Sequence, residues 1–242
     1  MKIALIKKWI HNLCCLLYFS LTPLCNAEIT ASNNQSQNQA FLELQQQFNL
    51  HHERPSDINE HLPTLRRLAK ECSSVVELGV RNIVSTWGLL IGLAENQYPN
   101  RTYIGVDLGL PTPEIFSLVK RLATTNRISY QHIQANDMYI DIKETDLLFI
   151  DTLHIYAHLT YELEKFSPKI RKYIAIHDTS DTFEYRDCTS YQGDYSEYPF
   201  YLNREKAGLW TAVVDFLARH PEWTLYERHT NNNGLTVLKR KI

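Results

Sequence analysis

A chain of 242 residues, 44% hydrophobic and 21% charged, is long enough to bury one sizeable core. Its formal net charge is -2, so no basic field argues for nucleic acid as a partner. Five cysteines without a CxxC or zinc-type spacing exclude a small disulfide scaffold and a zinc module.

The first 27 residues stand apart. Lys2, Lys7 and Lys8 precede an apolar run from Trp9 to Leu24, and Cys25-Asn26-Ala27 ends on a small residue. This pattern reads as a signal peptide or, uncleaved, as a membrane anchor, and it predicts an exported or membrane-associated protein. Cys14, Cys15 and Cys25 fall inside it, which leaves Cys72 and Cys188 as one disulfide or two thiols. Residues 28–47 are rich in Asn, Gln and Ser and predict a disordered linker, with a helix starting near Ala40. A single domain is expected over 48–242.

The domain opens with a helical stretch, Ile58 to Lys70, whose Leu62, Leu65 and Leu68 share a face. From Ser74 onward strands and helices alternate. Strands are predicted at 74–78, 102–106, 128–133, 146–150 and 172–177, and helices at 84–97, 113–124, 155–166 and 206–219. Such alternation implies a parallel sheet with right-handed crossovers. Leu147-Leu148-Phe149-Ile150 is apolar without alternation, as in a strand covered on both faces. The ending differs: Trp223–Arg228 and Leu235–Lys239 flank Asn231-Asn232-Asn233-Gly234, a turn sequence tolerant of positive φ, and predict an antiparallel hairpin.

Ligands of such sheets bind beyond the carboxyl ends of the strands. Those ends carry Glu77 and Gly79, Asp107, Asn136-Asp137, Asp151 and His177-Asp178. Each acid could merely cap the next helix, but acids at every end point to a site. Asp107 suits a ribose diol. Of a G-x-G-x-x-G fingerprint only Gly79 is present, which disfavours a dinucleotide and leaves an adenosine ligand without phosphates. Asp151, His177 and Asp178, on neighbouring strands, could hold a divalent cation or act with His154 as a general acid/base set. His51, His52, His61 and His220 read as surface or cap positions, and His158, four residues after His154, as a residue without a function. Between Asp181 and Tyr201 lie Phe183, Tyr185, Tyr191, Tyr195, Tyr198, Phe200 and Tyr201, either a substrate lid or extra packed structure.

Glu77-Leu78-Gly79, Gly105-Val106-Asp107, Asp151-Thr152-Leu153-His154-Ile155-Tyr156 and His177-Asp178-Thr179 together resemble class I S-adenosylmethionine-dependent methyltransferases, in the branch of cephalosporin hydroxylase-like and rhamnosyl O-methyltransferase-like proteins. Gly208-Leu209-Trp210, His220-Pro221-Glu222-Trp223 and Thr230 to Leu235 are similar to that branch's C-terminal region. The resemblance covers Ser74 to Lys239 and implies a Rossmann-like α/β fold with a seven-stranded, mostly parallel sheet. It implies S-adenosylmethionine as cofactor and O-methylation of a small or carbohydrate-like acceptor. Glu77 and Gly79 would then shape the turn around the methionine part, Asp107 would bind the ribose, and Asp137 would lie near the adenine. Asp151, His177 and Asp178 match positions that bind magnesium in metal-dependent members, with Asp151, His154 and His177 as the reacting groups. Two departures stand out. The family's second glycine falls on Ile83, which implies a differently shaped cofactor loop. His177-Asp178 stands where relatives often carry two oxygen ligands, so His177 is a base beside the metal, or the metal is softer than magnesium, or none binds.

Overall fold

A computed structural model describes residues 34–189 and 205–241. The leader and the aromatic positions from Tyr191 to Tyr201 lie outside the described residues. No helix among the described residues is long and apolar enough to cross a membrane.

Seven strands form one sheet in the order β3-β2-β1-β4-β5-β7-β6. They are β1 (Ser74–Leu78), β2 (Arg101–Asp107), β3 (Ile128–Gln134), β4 (Thr145–Ile150), β5 (Ile170–His177), β6 (Trp223–His229) and β7 (Leu235–Arg240). β1 pairs in parallel with β2 and β4, and β4 with β5. β7 runs antiparallel to β5 and to β6, so the hairpin read around Asn231–Gly234 closes the sheet. The mostly parallel α/β class read from the sequence is the one observed. Strand order reverses between β1 and β4, which makes their carboxyl ends the switch point where this architecture opens a crevice.

Alternate strand residues feed two apolar layers. Val75, Leu147, Phe149, Tyr173 and Ala175 face one core, with α1 (34–53), α2 (Leu62–Lys70), α3 (Val84–Glu95) and α4 (Pro113–Thr125). Val76, Leu78, Leu148, Ile150, Ile174 and Ile176 face the other, with α5 (Tyr156–Phe166) and α6 (Leu209–Arg219). A strand buried on both faces needs no polar alternation, and this is why β4 reads as a continuous apolar run.

The expected linker is corrected over 34–47: these residues begin helix α1, six positions ahead of Ala40. Ala40, Leu44 and Phe48 recur every fourth residue and are buried, so the helix docks by a narrow stripe while Gln and Asn occupy its other faces. Burying a side chain such as Leu44 or Phe48 contributes about 1.5–3 kcal/mol, which a polar composition does not reveal. Arg66 covers the Phe48 ring at 4.8 Å, and Arg121 pairs with Glu43 at 2.6 Å. Cys72 and Cys188 are both free thiols.

Candidate active site

The loop after β1 is held in an unusual backbone shape. Gly79 (φ 84°), Arg81 (φ 40°) and Ile83 (φ 62°) all lie in the left-handed region. A β-branched residue there costs about 1–2 kcal/mol. Ile83 is fully buried in the core around α3, and that burial offsets the strain. Ile83 therefore holds a left-handed conformation that glycine adopts without strain.

Asp107 fixes this loop from the neighbouring strand. Its Oδ2 accepts from the backbone N–H groups of Val80 (2.9 Å) and Arg81 (2.8 Å), and its Oδ1 from Gly109 (2.8 Å). Helix α4 starts only at Pro113 and is capped by Thr112, so Asp107 is no helix cap. A carboxylate offers about four acceptor positions, and three are used, which leaves one on Oδ1 for a ligand hydroxyl. Leu108 and Leu110 stand exposed beside it.

Glu77 shapes the loop from beneath rather than by touching a ligand. Its carboxylate is fully buried and accepts hydroxyl hydrogen bonds from Ser85, Thr86 (2.8 Å) and Tyr103. Burial pushes its acid up to about 7 against those three bonds, from an ordinary 4.5. A raised carboxyl contributes its stability fully below pH 4.5 and loses it as pH rises through 7. The interval from 4.5 to about 7 corresponds to about 3 kcal/mol. Glu77→Gln, which does not titrate, should therefore gain on the wild type by about 3 kcal/mol between pH 4.5 and 7.5. Urea unfolding at both pH values measures this, and a constant difference would refute it.

Asp151, His154, His177 and Asp178 meet at the carboxyl ends of β4 and β5. His154 Nε2 lies 2.8 Å from Asp178 Oδ2 and 3.7 Å from Asp151 Oδ1. His177 Nδ1 lies 3.2 Å from Asp178 Oδ2 and 3.5 Å from Asp151 Oδ1. Asp151 and His154 are the open members, with 26% and 17% of their side chains exposed, whereas His177 is at 1%. The cap reading fails for Asp151: α5 starts five residues later, and the Tyr156 N–H is taken by Asp187 (2.8 Å). Phe183 covers the His154 ring at 4.4 Å between centroids. Burial works against protonation of both imidazoles, but the Asp151 and Asp178 carboxylates outweigh it, lifting His154 to about 9 and His177 to about 10. Burial raises Asp178, yet the two imidazoles hold it well below the usual carboxylate range.

Asp137 follows β3 in a short 3-10 turn, Asp137–Tyr139. Its carboxylate turns toward α5, where Oδ2 lies 3.1 Å from His158 Nε2, and His158 Nε2 is 3.8 Å from Glu162 Oε1. The adjacent Asn136 is a plain cap, accepting from the Met138 N–H (2.8 Å). Glu162, absent from the sequence reading, accepts from Thr152 Oγ1 at 2.9 and 3.0 Å and so braces the residue after Asp151. A cavity of about 10 Å³, room for about one water, separates Glu162 from Asp151, His154 and His177. His61, read as a surface or cap position, is buried, and its Nε2 contacts the carbonyls of Asn231 (3.0 Å) and Asn232 (3.1 Å). Only the spacing of His158 and Glu162, four apart on one helix face, could have signalled the first group. Nothing local could have paired His61 with a turn 170 residues away.

No protein-family model matches the sequence, and no curated protein matches it. Among solved structures, a protein of Corynebacterium glutamicum aligns over 84% of this chain and 90% of its own at 14% identity, with a TM-score of 0.51. An O-methyltransferase of Bacillus cereus, solved with S-adenosylhomocysteine, aligns over 84% of this chain and 91% of its own at 10% identity and a TM-score of 0.48. The O-methyltransferase TomG of Streptomyces achromogenes, involved in tomaymycin synthesis and solved with S-adenosylmethionine, aligns over 84% and 90% at 14% identity and a TM-score of 0.47. At such identities the likeness is one of fold, and the activity has to be argued from the site.

Proposed function

We propose that this chain is an S-adenosylmethionine-dependent O-methyltransferase acting on a small or carbohydrate-like acceptor. One observation carries the reading. A glycine loop pinned by Asp107 adjoins, across the switch point, a group of two carboxylates and two imidazoles that caps no helix. The ends of β2 and β4 flank β1, about 10 Å apart at ordinary strand spacing, which suits a ligand with its ribose at Asp107 and its reactive end at Asp151. The motif resemblance supplies the identity of that ligand, and the open acceptor position on Asp107 supports it.

Methyl transfer needs alignment and a proton sink. The acceptor oxygen bonds to the methyl carbon as the carbon–sulfur bond breaks, S-adenosylhomocysteine leaves, and the hydroxyl proton passes to the protein. The neutral form of His154 is the group to receive it, and because Asp178 at 2.8 Å and Asp151 stabilise the imidazolium, that form becomes the major one only above about pH 9. Orientation supplies much of the remaining acceleration.

The residues also fit a divalent cation. Asp151, His177 and Asp178 each offer a ligand atom, all within 4.8 Å of one another, and Asp178 Oδ1 and His177 Nδ1 are buried without a hydrogen bond. A cation held there would position and acidify the acceptor hydroxyl.

The ribose assignment is tested by Asp107→Ala. Loss of one charge-assisted hydrogen bond, together with a loosened loop, should weaken S-adenosylmethionine binding at least ~10-fold in calorimetry. Unchanged affinity in a folded variant would remove Asp107 from the cofactor site.

A further inference from the structure

We infer that the Asp151–His177–Asp178 group is a nitrogen-ligand site that selects a divalent transition ion of the Mn2+, Co2+ and Zn2+ kind over Mg2+. The inference rests on the methyltransferase reading only for the use such an ion would have.

One atom, His177 Nδ1, sets the chemistry of this group. His177 is 1% exposed, and its Nδ1 points between Asp178 Oδ2 (3.2 Å) and Asp151 Oδ1 (3.5 Å), hydrogen-bonded to neither. On the far side of the ring, Nε2 contacts the Asn232 carbonyl at 3.2 Å. A carbonyl only accepts, so Nε2 carries a hydrogen, and the Nδ1 lone pair faces the carboxylates once Nδ1 gives up its proton, as binding of an ion requires. This is how proteins fix a ligating imidazole.

The carbonyl is itself built in. Asn232 holds a left-handed φ of 49°, its Nδ2 donates to the Ser56 carbonyl (2.7 Å), and its Oδ1 accepts from the Glu60 N–H (3.1 Å). His61 Nε2 contacts the same carbonyl at 3.1 Å. The ring therefore cannot turn without breaking a network that reaches the N-terminal part of the domain. Asp178, which faces Nδ1, itself holds a left-handed φ of 57°. Separations of 3.2 and 3.5 Å lie close to the edge of a tetrahedron, about 3.3 Å, whose centre is about 2.0–2.1 Å from each donor.

Magnesium takes oxygen ligands in near-octahedral geometry and keeps its waters, whereas imidazole suits first-row transition ions. A magnesium centre would gain nothing from a buried imidazole with a fixed lone pair. Asp151, the exposed member, leaves one side open to an acceptor.

The test titrates the full chain with Co2+ and with Mg2+, following calorimetry and the visible absorption of bound cobalt. One Co2+ should bind, at least ~100-fold more tightly than Mg2+. His177→Gln and Asp178→Asn should each weaken Co2+ at least ~10-fold, and His61→Ala, which acts through the Asn232 carbonyl and through its edge contact with the His177 ring (5.7 Å between centroids), by up to ~10-fold. S-adenosylmethionine binding by the same samples reports folding and separates the outcomes. Cofactor binding without Co2+ binding, or Mg2+ binding as tight as Co2+, overturns the inference and leaves the methyltransferase reading intact. Unchanged Co2+ affinity in Asp178→Asn also overturns it, because the ion would then sit elsewhere, with Asp137, His158 and Glu162 as the alternative ligands. Binding of neither Co2+ nor cofactor overturns both. Should His177→Gln fail to fold, the wild-type ratio and Asp178→Asn still decide.

Discussion

Replacing Gly79 with alanine should destabilise the domain by about 3–5 kcal/mol and weaken cofactor binding at the same time. Gly79 lies at the carboxyl end of β1 with φ 84°, its N–H bonded to the Val106 carbonyl of β2 (2.9 Å). On its other side the Asp151 N–H reaches back to the Leu78 carbonyl (2.9 Å). A methyl group there would fall 1.9 Å from the Asp151 carbonyl oxygen and 2.6 Å from its carbon. The obstacle is backbone, which cannot swing aside as a side chain can, and the left-handed φ adds strain of its own. Relief requires β1 and β4 to part at the switch point, which moves Asp151 away from His177 and the loop away from Asp107. Thermal unfolding should show a midpoint lowered by about 10 °C at this domain size. A shift under about 2 °C with full cofactor affinity would show that the two strand ends are not coupled through this contact.

The second large effect concerns chemistry rather than folding. Asp151→Ala should lower the rate of methyl transfer at least ~10³-fold while leaving S-adenosylmethionine affinity within about twofold of the wild type. Asp151 faces both imidazoles, at 3.7 Å from His154 and 3.5 Å from His177, and has 26% of its side chain open to solvent. It caps no helix, so its removal should cost little structure. What it takes away is charge: His154 loses one of the two carboxylates that support its protonated form, and the cation site loses its open ligand. S-adenosylhomocysteine release, measured with any acceptor that the wild type methylates, provides the readout. More than a tenth of wild-type rate in the variant would return Asp151 to a purely structural role.

How far the sequence carried differs between fold and site, for physical reasons. β4 was legible because a strand buried on both faces carries an unbroken apolar run, here Leu147–Ile150, and the terminal hairpin because Asn231–Gly234 tolerates positive φ. Helix α1 was not, since a stripe of three buried residues among Gln and Asn hardly changes composition. Which residues gather at the strand ends was legible, because register in a parallel sheet puts every carboxyl end on one edge. Where each side chain points was not. Asp137 turns to His158, and Glu77 turns inward to Ser85, Thr86 and Tyr103, because helix packing on the two faces decides rotamers that strand position leaves open. Ile83 departs from the glycine pattern, and its left-handed backbone, held by burial, could not be read from an isoleucine. The most consequential contact, His177 to the Asn232 carbonyl with His61 behind it, joins segments far apart in sequence and needed the folded sheet to appear.

The central claim is that the loop at Gly79 and the carboxylate of Asp107 form an S-adenosylmethionine site. Calorimetric titration of the purified full chain with S-adenosylmethionine tests it most directly, with no acceptor and no metal needed. One molecule should bind per chain, with a dissociation constant of about 1–100 μM. Absence of binding at millimolar cofactor, with divalent ions present or absent, would contradict the account.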